Sequence, residues 1–349
     1  MKYNRVFINS LTYELAPHIV SSTALESRLA PLYQKFRIPK GQLAALTGIE
    51  ERRWWPKGHT LSDGAITAAQ KAINESGISV DDIGAVVYTG VCRDQHEPAT
   101  ACRVAASIGV SQDTAIYDIS NACLGVLSGI LDIANRIELG QIKAGLVVSC
   151  ESARHIVDVT IDDMLQDPTM QNYSKSLATL TGGSGATAVL LTDGTLPLTN
   201  DRSHQLLGAS HLSTPQHNDL CQWGLKEVGP QLFREFMRTD AVTLLKEGVA
   251  LAKDTWAHFL AQREWVSSQV DKVICHQVGA ANQKQVLSAL EISPEKEYPT
   301  YKHLGNMGTV SLPVTAALAH DEGFLQKGDN VSFLGIGSGL NCMMLGLKW

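Results

Sequence analysis

Residues 117–140 read YDISNACLGVLSGILDIANRIELG, and the succession of residue types in this stretch decides the architecture. Thr114 to Ile119 make a short β-like run, Ser120-Asn121-Ala122 make a turn, and Cys123 stands where an apolar helix begins. Leu124, Val126, Leu127, Ile130, Leu131, Ile133 and Ala134 are too dense for one face, so this helix is expected to be buried nearly all round. A cysteine in the first turn of such a helix meets unpaired N–H groups and the positive end of the helix dipole. Both favour thiolate, the nucleophilic form, and the same N–H groups could stabilise an oxyanion beside the sulfur. The ordinary alternative for a free cysteine is a small buried hydrophobe.

Outward from this stretch the pattern repeats. RVFINSL reads as a first strand, and APLYQKFRIPKGQLAALTGIEERRWWP as a helix followed by a basic, aromatic loop. A helix from Ser62, capped by Ser62 or Asp63, carries Ala65, Ile66, Ala69, Ala72 and Ile73 on one stripe and ends at Gly77. Ile83–Thr89 and Leu146–Ser149 read as buried strands, the polar loop VCRDQHEPATACR carries Glu97, and the segment with Asp162, Asp163, Asp167 and Pro168 reads as a lid. LTGGSGATAVLLTD then gives a glycine-rich bend and a strand. In the second half, VTLLKEGVALAKDTWAHFLAQ precedes VDKVICHQVG as the Ser62 helix precedes DDIGAVVYTG, and YKHLGNMGTVSLPVTAALAH precedes FLQKGDNVSFLGIGSG as the Cys123 helix precedes IELGQIKAGLVVSC. So long an echo, occurring twice, implies two fused α/β halves, residues 1–196 and 197–349, rather than a solenoid. Buried β-branched strands alternating with helices imply mainly parallel central sheets flanked by helices.

Composition narrows the function. A chain of 349 residues suits one large domain or two fused halves, and a net charge of −6 argues against a nucleic-acid partner. Anionic small molecules stay open, because a cluster such as Arg52, Arg53 and Lys57 can hold a phosphate. The seven cysteines are odd in number and form no CxxC pair, so neither a disulfide framework nor a metal site is suggested, and free thiols fit a reducing cytoplasm. No signal peptide and no transmembrane run is legible.

Ligand groups in α/β sheets gather beyond the carboxyl ends of strands. His276 ends the strand Val273-Ile274-Cys275, and Asn306 precedes the second central helix where Cys123 precedes the first. Pseudo-twofold packing would bring Cys123, His276 and Asn306 to one spot. Such a trio admits a cysteine protease, with histidine as base and asparagine as its orienter. It equally admits an acyltransferase, in which sulfur carries a thioester while His276 and Asn306 donate to a thioester oxygen and stabilise an enolate. The other ten histidines carry no spacing that asks for a role.

TGIEERR, SNACLG, ICHQVG, HLGNMG and the terminal LGIGSGLN fall in order, each at its place in the duplication. Through them the chain resembles the thiolase superfamily over nearly its whole length, and within it the ketoacyl synthase III branch. RDQHEPAT and GNMGTVSLP suit best the olefin-pathway thiolases, which join two long-chain fatty acyl-CoAs head to head. The resemblance implies Cys123 as the acylated nucleophile, His276 and Asn306 as the hydrogen-bonding pair, and the backbone N–H groups of Cys123 and Ser338 as an oxyanion hole. Gly335, Gly337 and Gly339 would then let backbone approach the substrate closely. It also implies a homodimer in which Glu97 reaches the neighbouring subunit's site as the base for an α-proton. No metal or redox cofactor is implied beyond coenzyme A thioester substrates, and downstream pathway enzymes are possible partners.

The chain departs from standard fatty-acid initiation enzymes at three places. Gly279 replaces the asparagine expected after the HQ pair, NMGTVSLP replaces an NTSAAS-like run, and Leu46 replaces an arginine that helps clamp the CoA adenine. A biosynthetic thiolase would want a second cysteine before the terminal glycine loop, where Leu334 and Gly335 stand. The expected activity is non-decarboxylative Claisen condensation of two fatty acyl-CoAs to a 2-alkyl-3-ketoacyl product. The alternatives are a decarboxylating 3-oxoacyl-[acyl-carrier-protein] synthase III, which would not need Glu97, and an inactive acyl-binding partner subunit.

Overall fold

In the computed structural model, which describes residues 1–200 and 202–349, the first half supplies strands β1 (Phe7–Leu15), β2 (His18–Ser21), β3 (Glu51–Trp54), β4 (Ile83–Tyr88), β5 (Ala115–Asp118), β6 (Ala144–Glu151) and β7 (Gly185–Thr192). The second supplies β8 (His204–Ser213), β9 (Cys221–Gly229), β10 (Leu232–Thr239), β11 (Lys272–Cys275), β12 (Asn330–Gly337) and β13 (Asn341–Lys348). Nine of them form one sheet in the order β11-β12-β13-β8-β1-β7-β6-β4-β5. Every residue of β6 and of β7 is buried, as continuous apolar runs covered on both faces require.

Within each half of this sheet all strands but one share a direction, so the expected mainly parallel α/β architecture holds. β4 is parallel to β5 and β6, and β11 to β12. β7 opposes β6 and β1, and β13 opposes β12 and β8. The reversed strands are what the sequence reading does not anticipate. For β13 the cause is the tight turn after Gly337, which can only return the chain antiparallel. The halves meet through two antiparallel residue pairs, Phe7 with Gln205 and Ile8 with His204, as a twofold relation demands.

The helix Gly125–Glu138 buries Val126, Leu127, Ile130, Leu131, Ile133, Ala134 and Ile137, as its composition predicts. It shares one core cluster with Leu312, Ala316 and Ala317 of the second central helix, Ser311–Asp321, and with Val87, Val147, Ile274 and Phe333 from strands of both halves. The two helices therefore form a common middle layer, which brings their N-terminal ends and the strand ends to one place.

Several local expectations change. The helix Leu61–Ser76 is capped at Thr60 rather than at Ser62 or Asp63, and its first N–H groups, of Leu61 and Ser62, donate to Asp94 Oδ1 at 2.8 and 3.3 Å. The basic stretch after Gly48 is not a loop but β3, paired with β2. Its Arg52 is fully buried, donating to the carbonyls of Val20 and Leu180 and to Ser22 Oγ, so it cannot hold a phosphate. Asp162 and Asp163 lie within a helix, Arg154–Gln166. The β9–β10 hairpin has no counterpart in the sequence reading, because mixed polar and apolar residues such as Gln222, Lys226 and Arg234 hide its alternation.

One glycine fixes how the halves engage. Gly183 N–H donates to the Asn306 carbonyl at 2.8 Å, and a Cβ at Gly183 would lie 2.1 Å from the Leu304 carbonyl oxygen. Gly183→Ala must push the Leu304–Asn306 segment away, at a cost of about 1–3 kcal/mol. A urea titration is expected to show a lowered midpoint with an unchanged slope; an unaltered midpoint would mean that the segment yields freely.

Candidate active site

After β5 the chain turns at Asn121 and Ala122, and Ala122 adopts φ +43°, a left-handed conformation that costs energy for a residue with a side chain. Cys123 follows in a single turn of 3₁₀-helix, Ala122–Leu124, ahead of the buried helix. Two contacts hold this turn. The Val126 N–H donates to Thr309 Oγ1 at 2.7 Å, and Asn121 Nδ2 donates to Ser128 Oγ at 2.9 Å.

Gly335 and Gly337 lie against the same turn. A Cβ on Gly335 would sit 2.6 Å from Leu124 Cδ2 and from Leu127 Cδ1, and one on Gly337 would sit 3.1 Å from Leu124 Cγ and 3.5 Å from Cys123 N. The close approach these glycines permit includes that of the Cys123 turn to β12, and both also line the same cavity as Cys123. Gly339, at φ +138°, serves the β12–β13 turn and is not among the cavity-lining residues.

His276 follows β11, its N–H donating to the Leu334 carbonyl at 2.9 Å. Asn306 is held by its backbone N–H to Thr181 O at 2.9 Å, and its Oδ1 accepts the Gly308 N–H at 3.0 Å, which leaves the carboxamide NH₂ for donation. Cys123, His276, Asn306 and Ser338 all line one cavity of about 1070 Å³. Ile156, Trp223, Leu225, Phe236, Met237 and Val249 give it apolar walls, several of them from the unforeseen hairpin. Leu46 stands among the lining residues, and Lys246 is the one lysine or arginine among those described. Gly279, placed where an asparagine was expected, has φ +154°, and a Cβ there would meet Thr47 O at 2.7 Å.

Electrostatics in this cavity reverse one expectation. Burial pushes the Cys123 thiol up to about 12, with Cys221 and then Glu151 adding to the effect, against a weaker pull from a backbone hydrogen bond. Burial thus favours a thiol at Cys123 over the thiolate expected from position alone. His276 is pushed down to about 4 by burial, and its Nδ1 is buried without a hydrogen-bond partner. It is a neutral imidazole at physiological pH, able to donate one proton and accept another.

Glu97 is exposed on the loop between β4 and the helix Thr100–Ile108 and does not line the cavity of its own chain. Two groups that sequence reading missed do line it: Cys221, at the start of β9, and Glu151, at the end of β6. Glu151 is 4% exposed, and burial pushes its carboxyl up to about 6. An acid closing the otherwise apolar run AGLVVSCE was the available signal for Glu151. Nothing in the spacing marks Cys221.

A group buried neutral must charge on unfolding. The His276 imidazole titrates near 6.5 in the unfolded chain and near 4 in the folded one, so its contribution is complete above pH 6.5 and is lost as pH falls toward 4. Glu151 acts in the opposite sense between 4.5 and about 6. Urea midpoints measured across this range should therefore fall less steeply with acidification in His276→Asn than in the native chain. Parallel profiles would show that His276 is solvated in the folded state.

Comparisons with known proteins agree with this geometry. Residues 44–202 match the thiolase N-terminal domain, and residues 260–349 the 3-oxoacyl-[acyl-carrier-protein] synthase III C-terminal domain. The chain is 82% identical, over all of both chains, to a Shewanella oneidensis protein named acyl-CoA:acyl-CoA alkyltransferase, and 34% identical, again over all of both, to one of the same name from Xanthomonas campestris. A crystal structure of Xanthomonas campestris OleA superposes with a TM-score of 0.92 at 32% identity, covering 100% of this chain and 98% of that one. Solved forms of that protein include substitutions of a cysteine, a glutamate and a histidine, and one carries lauric acid and lauroyl-CoA. The chain belongs to the acyl-CoA:acyl-CoA alkyltransferase family of thiolase-fold enzymes.

Proposed function

We propose that the protein joins two fatty acyl-CoAs by non-decarboxylative Claisen condensation through an acyl-cysteine intermediate. The observation that carries this reading is the gathering of Cys123, His276 and Asn306 in one large, mostly apolar cavity. Its volume lies at the upper end of small-molecule pockets, as two acyl chains need.

In the first stage the Cys123 sulfur attacks the thioester carbon of one acyl-CoA. The thiol proton passes by way of neutral His276 to the departing CoA sulfur, which leaves as free thiol. The backbone N–H groups of Cys123 and Ser338 receive the developing oxyanion; losing one such donor costs about 10²–10³ in rate. In the second stage a carboxylate removes an α-proton from another acyl-CoA, and His276 and Asn306 donate to the enolate oxygen. The carbanion attacks the Cys123 thioester, the sulfur leaves and recovers the proton, and a 2-alkyl-3-ketoacyl-CoA remains. The balance needs no oxidant, reductant or metal.

The α-proton base in this scheme is Glu97 of the partner subunit in a homodimer. Exposure of Glu97 on a loop outside its own cavity supports a role in a neighbour's site over one in its own. The substituted glutamate in the solved forms of Xanthomonas campestris OleA is of the same residue type. Lys246, largely exposed and paired with Glu247 Oε1 at 3.2 Å, is the lining cation available to CoA phosphates in this reading. Among the described residues no helix is long and apolar enough to cross a membrane.

Incubation with long-chain acyl-CoA alone, with no malonyl donor, is expected to give the 3-keto product and an acyl adduct on Cys123 by intact mass. Cys123→Ala should give neither. Glu97→Gln should keep the adduct while losing about 10²–10⁴ in condensation rate. Undiminished product from Glu97→Gln would overturn the choice of base, and a requirement for a malonyl donor would overturn the reaction class.

A further inference from the structure

Glu151 is the one carboxylate among the described residues lining the cavity, and the mechanism above does not use it. Its Oε1 accepts the Val91 N–H at 2.9 Å and its Oε2 accepts the Cys92 N–H at 3.1 Å. The Tyr88 hydroxyl ties the same turn to β6, its one proton shared between the carbonyls of Cys92 and Cys150 at 2.7 and 2.8 Å. A few residues on, this turn becomes the loop that carries Glu97.

On its other flank the Glu151 side chain packs on Gly308, where an added Cβ would lie 3.4 Å from its Cγ and Cδ. Gly308 N–H is the donor that fixes the Asn306 carboxamide, and the adjoining Thr309 hydroxyl receives the Val126 N–H behind Cys123. One buried carboxylate thus stands between the Glu97 loop and the segment that orients both Asn306 and the Cys123 turn.

We propose that Glu151 is a positioning residue for the condensation step, its carboxylate locking the Val91–Cys92 turn and the Gly308–Thr309 turn in one arrangement. The inference rests on the condensation reading above. The α-proton stays with Glu97 in this scheme, because the Val91 and Cys92 N–H bonds stabilise the Glu151 carboxylate and weaken it as a base. The titratable groups that face it are the thiols of Cys92, Cys150 and Cys123 and the phenol of Tyr88, none of them a cation at neutral pH. Its negative charge therefore also acts on the nucleophile, holding Cys123 as thiol.

A purely structural residue and this one differ in what their loss does to Cys123. Glu151→Gln removes the charge and presents an amide to an N–H donor. It is expected to condense acyl-CoA at least tenfold more slowly while still forming the acyl adduct, and its free Cys123 should be alkylated by iodoacetamide several-fold faster at pH 8. Glu151→Asp keeps the charge and loses the reach, so it should condense slowly and be alkylated at the native rate. Native condensation rates in both variants, or native alkylation in Glu151→Gln, would overturn the proposal. If Glu151→Gln does not fold, condensation by Glu151→Asp decides alone, a native rate overturning it. Absence of product from the native protein would instead defeat the condensation reading, and the alkylation rates would still judge the electrostatic coupling of Glu151 to Cys123.

Discussion

Desolvation governs this site. A cavity walled by Ile156, Phe236, Met237 and Val249 holds a thiol, an imidazole and a carboxylate, and burial moves each toward its neutral form. The price is a cysteine that is not ionised in advance. The return is an environment in which hydrogen bonds to a developing enolate or oxyanion are stronger than they are in water. A neutral imidazole that can donate suits enolate stabilisation, whereas a charged thiolate–imidazolium pair would have suited hydrolysis.

The fold makes such a cavity by duplication. Each half sends a strand end and a central helix to a shared middle layer, so Cys123 from one half and Asn306 from the other arrive at matching helix starts. Close backbone approach is what allows this. Gly335 and Gly337 admit the Cys123 turn against β12, and Gly183 admits the Leu304–Asn306 segment against the approach to β7. Strain at Ala122, φ +43°, is the local cost of aiming Cys123 into the pocket.

Much of this was legible in the residues. The buried helix after Cys123, the strand before His276 and the echo between halves followed from apolar density and from the order of motifs, because burial on all sides leaves a continuous signal. What failed to show was decided by tertiary context. The Arg52 stretch reads as a basic loop, yet the guanidinium is enclosed and bound to carbonyls, which only three-dimensional packing can specify. The β9–β10 hairpin walls the cavity with residues whose polar neighbours mask their alternation. Helix position alone suggested a thiolate at Cys123; the surrounding apolar walls, drawn from segments far away in the chain, decide otherwise. Glu151 was readable in principle as an acid ending an apolar strand, but its partners lie on two distant turns.

The state of the free Cys123 sulfur tests the central claim most directly. Ultraviolet thiolate absorbance, taken as the difference between the native protein and Cys123→Ala across a pH titration, isolates this one group. Dominance of burial gives no ionisation step below about pH 10, in keeping with a thiol pushed up to about 12. A step near neutrality would show that the helix end prevails over burial, and the picture of a thiol held un-ionised by desolvation would be wrong.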